Sequence, residues 1–159
     1  MAKKKLDWFK LDCQMDDKEK LIELEFGLIG FAVIVRLWQK IYGSEGYYCE
    51  WNDDVALMFA GENHVSVGTV SEIVSAALRR GIFNKNLFEK FGILTSHGIQ
   101  SRYFDCAGRR ENKNLKSEYL LLCNTQKSKN VDNSSKNVYI SDENVDIFSQ
   151  RRKEEIREE

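Results

Sequence analysis

The chain has 159 residues, 42% of them hydrophobic, with 24 Lys/Arg against 25 Asp/Glu and a formal net charge of −1. That length gives room for one domain and a tail. The near-zero charge excludes a global basic field, so any attraction to nucleic acid has to come from a local patch.

In chain order, Lys3-Lys4-Lys5 is followed by Leu6 to Asp12, where charged and apolar residues alternate. No continuous apolar core of a signal peptide is present there. Asp16 or Asp17 is placed to cap a first helix reaching about Phe26, with Ile22, Phe26 and Ile29 at compatible spacing. Gly27 and Gly30 bracket a break. The next helix carries Phe31, Ile34, Val35, Trp38, Ile41 and Tyr42 on one face, widened by Val33 and Leu37. A helix this apolar belongs at the centre of its domain. Its apolar run is interrupted at Arg36 and is too short to span a bilayer, so a cytoplasmic protein without membrane partners is expected. Cys13, Cys49, Cys106 and Cys123 stand too far apart for a metal knuckle or a redox pair, and they fit small thiols in a reducing compartment.

Gly43 to Gly46 turns the chain into an aromatic strand, Tyr47-Tyr48-Cys49-Glu50-Trp51. Asn52 caps a helix over Asp53 to Ala60, Gly61 to Ser66 forms a turn, and a second helix runs to Arg80. Val70, Ile73, Val74, Ala77 and Leu78 give that second helix the cleanest helical period in the chain. Ser66 is one candidate cap; Thr69 with Glu72 as a capping box is the other. Gly81 ends the helix, and Ile82-Phe83 and Ile93-Leu94 read as short strands flanking a loop. A further helix is expected from His97 to about Glu118. The order strand, helix, turn, helix, strand, wing, strand gives a mainly α fold with a small β-wing. That is a winged helix-turn-helix with extra N- and C-terminal helices.

Beyond Cys123 the apolar residues thin out. Asn130-Val131-Asp132, Asn137-Val138-Tyr139 and Asn144-Val145-Asp146 repeat every seven residues. One valine per repeat cannot fill both core positions of a coiled coil. The expected organisation is therefore a domain over 1–122, a flexible Asn-Val linker over 123–150 and a charged tail over 151–159. So little follows the linker that a further domain is expected to have been lost or removed.

The chemical inventory is poor. His64 and His97 are the only histidines, and no phosphate-binding glycine loop ending in Gly-Lys-Ser/Thr occurs. The acidic group Asp16, Asp17, Glu19, Glu23 and Glu25 is interspersed with Lys18 and Lys20 and reads as a solvated helix face. No catalytic residue, metal site or cofactor is expected. A basic stripe is the better candidate: Arg102, Arg109, Lys113 and Lys116 fall at spacings of seven, four and three, with Arg110 nearer the apolar side. Such a ladder can contact successive phosphates, although an ordinary solvated helix face has the same appearance. Lys85 in the wing can add a backbone contact. On the second helix of the pair, Thr69, Glu72, Ser75, Ala76 and Arg79 form the outward face, with Arg80 at its end. Glu72 repels phosphate unless it reads a cytosine.

Specific blocks carry a family resemblance. They are Asp16-Asp17-Lys18, Glu25 to Phe31, Gly46 to Trp51, Arg80-Gly81-Ile82-Phe83 and Gly92 to Gln100, extended by Arg102-Tyr103 and Glu118 to Leu122. Over Leu6 to about Leu122 the chain resembles an amino-terminal domain family of phage and prophage replication proteins from Gram-positive bacteria and Bacteroides. That family is long described as a domain of unknown function, and its members often carry a DnaD-like domain further on. The Asn-Val repeats are similar to the family's linker. The resemblance implies a winged-helix domain of a replication-initiation or replisome-organising protein, with Gln100 and Arg102 as surface candidates. The chain reaches Glu159 without a DnaD-like domain, which speaks against loader recruitment by this polypeptide.

Two functions are thus expected from the sequence. The first is a non-enzymatic module binding double-stranded DNA. The alternative is a self-association or scaffold module, a homodimer or replisome partner, that does not touch DNA.

Overall fold

A computed structural model describes residues 5–107 and 115–122. By its internal contacts the chain divides into Met1–Leu121 and Leu122–Glu159, and of the second unit only Leu122 is among the described residues. The linker and tail expected over 123–150 and 151–159 lie outside them.

Helix α1 (Asp17–Phe26) ends at Gly27, whose φ of 72° is a left-handed value open to glycine. The Gly27 N–H closes the helix on the Glu23 carbonyl at 2.7 Å. Helix α2 (Leu28–Gly43) begins at once and doubles back over α1. Gly30 makes that crossing possible: a Cβ there would stand 2.9 Å from the Ile22 carbonyl oxygen and 2.8 Å from the Phe26 Cβ. The pair of glycines expected to bracket a break thus builds a tight helical corner. Helix α2 buries Val33, Ile34, Leu37, Trp38, Ile41 and Tyr42, as its apolar face requires.

Strand β1 (Cys49–Glu50) pairs antiparallel with β2 (Ile93–Leu94), in the register Cys49 to Leu94 and Glu50 to Ile93. Helix α3 (Asp53–Glu62) starts where the Asn52 side chain accepts the Val55 N–H at 2.9 Å, and it runs two residues past Ala60. Helix α4 (Val67–Arg79) is capped by Ser66, whose hydroxyl accepts the Thr69 N–H at 3.1 Å. Ser66, not Thr69, is therefore the cap. Val70, Ile73, Val74 and Ala77 turn inward, and α4 packs on α1, α2 and α3 together.

The segment after α4 differs from the expected strand and wing loop. Ile82 and Phe83 are buried but not in a strand, and the wing position holds a helix, α5 (Lys85–Phe91). Two local forces produce it. The Asn84 side chain caps it by accepting the Leu87 N–H, and Leu87, Phe88 and Phe91 sit half-buried at helical spacing. Gly92, at φ 64°, ends the helix and delivers the chain into β2.

Helix α6 (His97–Ala107) follows, with the Ser96 hydroxyl accepting the Ile99 N–H at 3.2 Å. It does not continue to Glu118, because Ser117–Tyr119 forms a separate 3-10 turn. The described fold is mainly helical with a small two-stranded antiparallel sheet. No helix among the described residues is long and apolar enough to cross a membrane.

Candidate nucleic-acid interface

Contact with α1, α2 and α3 leaves α4 one narrow open strip. Ser71, Glu72, Ser75 and Arg79 are exposed on it and Thr69 is partly exposed. Ala76, expected on the same face, is instead 1% exposed, pressed inside by the surrounding helices. Neither terminal arginine points free. Arg79 lies 3.5 Å and Arg80 2.6 Å from the Glu25 carboxylate of α1. The strip is small and polar, with its positive end partly neutralised.

Of the expected basic ladder only Arg102 and Lys116 are among the described residues. Arg109, Arg110 and Lys113 lie outside the described residues. Arg102 is turned toward the body of the fold, with its guanidinium 5.7 Å from the Trp38 ring centre and 3.7 Å from the Asp12 carboxylate. Lys116 is not on α6. Its backbone N–H donates to the Tyr47 hydroxyl at 3.1 Å, and its ammonium lies over the Tyr119 and Tyr48 rings at 4.8 and 5.6 Å. The Tyr48 phenol, foremost among its neighbours, holds the Lys116 pKa above the usual lysine value. Lys85 pairs with Glu89 one turn along α5, at 3.7 Å.

Gln100 is not a surface residue: it is completely buried. Its side-chain NH2 donates to the Tyr119 carbonyl at 2.7 Å and to the Thr95 hydroxyl at 3.1 Å, while its Oε1 accepts the Leu121 N–H at 2.8 Å. Thr95, also fully buried, donates its own hydroxyl proton to the Tyr47 carbonyl. The resemblance block around residue 100 therefore marks an internal polar clamp. Its partners are backbone groups remote in sequence, which no residue pattern announces.

A second internal cluster also escapes the sequence reading. The Leu6 N–H donates to the Tyr42 carbonyl at 2.7 Å and Phe9 stacks on the Tyr42 ring at 4.7 Å, so the N-terminal arm lies along α2. Beneath it, burial pushes the Glu19 carboxyl and the Tyr42 phenol above their ordinary pKa values, and Arg102 partly offsets both. Burial likewise drives the Cys49 thiol up to about 12, leaving it an inert packing group. Among the described residues no group of three or more His, Cys, Asp and Glu can hold a metal ion.

Fold and surface together define a small, mainly helical module with a two-stranded antiparallel sheet, whose helix α4 keeps one polar strip open. The chain belongs to the Lin1244/Lin1753-like, N-terminal family, whose model matches residues 8–99. It is 41% identical over 122 residues to the "Uncharacterized phage-related protein Lin1244/Lin1753" of Listeria innocua serovar 6a, strain ATCC BAA-680 / CLIP 11262. That match covers 76% of this chain and 40% of the relative, so the chain matches less than half of the relative's length. No solved structure matches it significantly.

Proposed function

We propose that this chain is the DNA-binding module of a phage-type replication-initiation or replisome-organising protein. The observation that carries the reading is the α3–turn–α4 unit, whose outer strip of Ser71, Glu72, Ser75 and Arg79 remains open to solvent. Ser71 and Ser75 are short enough there to let a helix backbone approach a groove closely, as in helix-turn-helix recognition. In this reading β1, β2 and the short helix α5 stand where a winged helix has its sheet and wing. The phage-related description of the relative supports a role in phage biology, and its greater length supports a module within a longer architecture.

The open strip has little net charge, so binding draws on few phosphates. Affinity is therefore modest and falls with salt less steeply than for a protein with a continuous basic band. Fluorescence anisotropy with labelled duplex DNA, titrated from low to physiological salt, is the direct test. Binding at low salt that Ser75→Glu abolishes, with the fold intact, is the expected result. Absence of duplex binding at low salt defeats the proposal.

A further inference from the structure

Helices α2 and α3 both pack on α4, and between them they leave an open groove of about 330 Å³. Arg36, Gln39 and Lys40 of α2 line it from one side, and Phe59, Glu62 and Asn63 from the end of α3 line it from the other. The two cations differ from most others in the fold. Lys20, Arg79, Arg80, Lys85 and Arg102 each lie within 4 Å of a carboxylate, whereas Arg36 and Lys40 have no such partner among the described residues. Being four residues apart on α2, they share one helix face.

The neutral residues of the groove are set to donate as well. Arg36 Nη1 donates to Gln39 Oε1 at 3.2 Å, which occupies the amide oxygen and leaves the Gln39 NH2 for another acceptor. Asn63 gives one N–H to the Phe59 carbonyl at 2.8 Å and keeps the second. Four donors, two of them cationic, therefore line the groove against a single carboxylate, Glu62.

We infer that this groove seats a backbone phosphate of duplex DNA, held by Arg36 and Lys40 with Gln39 and Asn63 as neutral donors. The inference rests on the DNA-binding reading above and supplies the charged backbone contact that the α4 strip lacks. Anionic phosphate oxygens form their strongest hydrogen bonds with cationic donors and accept from side-chain amides too. The position also fits. Asn63 precedes Ser66, the cap of α4, by three residues, which span about 10 Å at most. The first turn of α4 carries no acidic residue, so its N–H groups add positive potential at that end. In helix-turn-helix recognition the helix before the reading helix crosses the backbone, the part α3 takes in this arrangement.

Fluorescence anisotropy of the whole chain with two labelled duplexes of unrelated sequence, over a salt series, tests it. The double variant Arg36→Gln/Lys40→Gln is expected to melt with the wild type and to flatten the log–log salt slope by about two. Its loss of affinity is expected to be equal on both duplexes, because a phosphate contact carries no sequence information. Glu62→Gln, at an exposed position, removes the one carboxylate and is expected to tighten binding to both. Lys20→Gln on α1 removes a charge elsewhere and is expected to leave the slope unchanged. Wild-type binding that Ser75→Glu abolishes but whose slope the double variant preserves overturns the inference and leaves the DNA reading standing. So does a slope that Lys20→Gln flattens as much per charge, or Glu62→Gln binding no tighter than the wild type. A wild type that binds neither duplex at low salt defeats the reading itself, and the inference with it.

Discussion

Gln100 holds Tyr119 and Leu121 in the way a neighbouring strand would. Its amide donates to one carbonyl and accepts one N–H two residues further on, at 2.7 and 2.8 Å. That is the donor–acceptor pattern that one residue's own N–H and C=O make in a parallel ladder, supplied here by a side chain. The segment 115–122 has no sheet to join, and this amide, with the Tyr47 hydroxyl at Lys116, satisfies its backbone instead. The Tyr119 ring then fits against Tyr48 and Phe91, at 4.8 and 5.0 Å between centres.

Gln100→Glu should accordingly be severe. A carboxylate cannot donate to the Tyr119 carbonyl or the Thr95 hydroxyl, and it buries a charge among acceptors. We expect a loss of about 3 kcal/mol or more in urea unfolding. A midpoint equal to that of the wild type contradicts the clamp.

Gly30→Ala probes the α1–α2 corner. The new methyl meets the Ile22 carbonyl oxygen, a backbone atom that can move only if the helices separate. Overpacking of this kind costs about 1–3 kcal/mol. Gly43→Ala, where a Cβ meets nothing within 4 Å, is the matched control and should cost no stability. Equal melting temperatures for the two variants would show that the corner is looser than described.

Much of this architecture is legible in the sequence, and what is not has physical causes. The α2 face and the α4 period are readable because burial on one side imposes a pattern on consecutive residues. The strand expected at Ile82-Phe83 fails because β preference and burial look alike in two residues. Both side chains are buried without a ladder, while Asn84 and the Leu87, Phe88, Phe91 spacing claim the following segment for a helix. The arginines mislead for another reason. Glu25 lies 54 and 55 residues from Arg79 and Arg80, so the pairing that restrains them exists only after α1 packs on α4.

Stability should depend on pH through Glu19. Its folded pKa is raised, chiefly by desolvation, so the fold prefers the protonated acid. The sign follows directly: this contribution is present below the unfolded carboxylate pKa and is lost as pH rises through the higher folded value. Glu19→Gln, uncharged at every pH, should melt above the wild type at neutral pH. The difference should shrink on acidification. Thermal melts at several pH values check this, and a variant less stable than the wild type at neutral pH counts against it.

Glu25 offers the sharpest link between the fold and the proposed DNA binding. Its carboxylate already pairs with Arg79 and Arg80, the two arginines at the end of the proposed DNA-facing strip. The Arg79 and Glu25 side chains are 63% and 37% exposed, so their pairing contributes little to stability, under about 1 kcal/mol. Glu25→Gln releases the guanidinium groups at the end of the open α4 strip. Duplex affinity at low salt should rise, and the log–log salt slope should steepen by about one for each additional phosphate neutralised. Arg79→Ala should do the opposite, flattening the slope by about one. Duplex affinity unchanged in both variants places the DNA contact away from the end of α4.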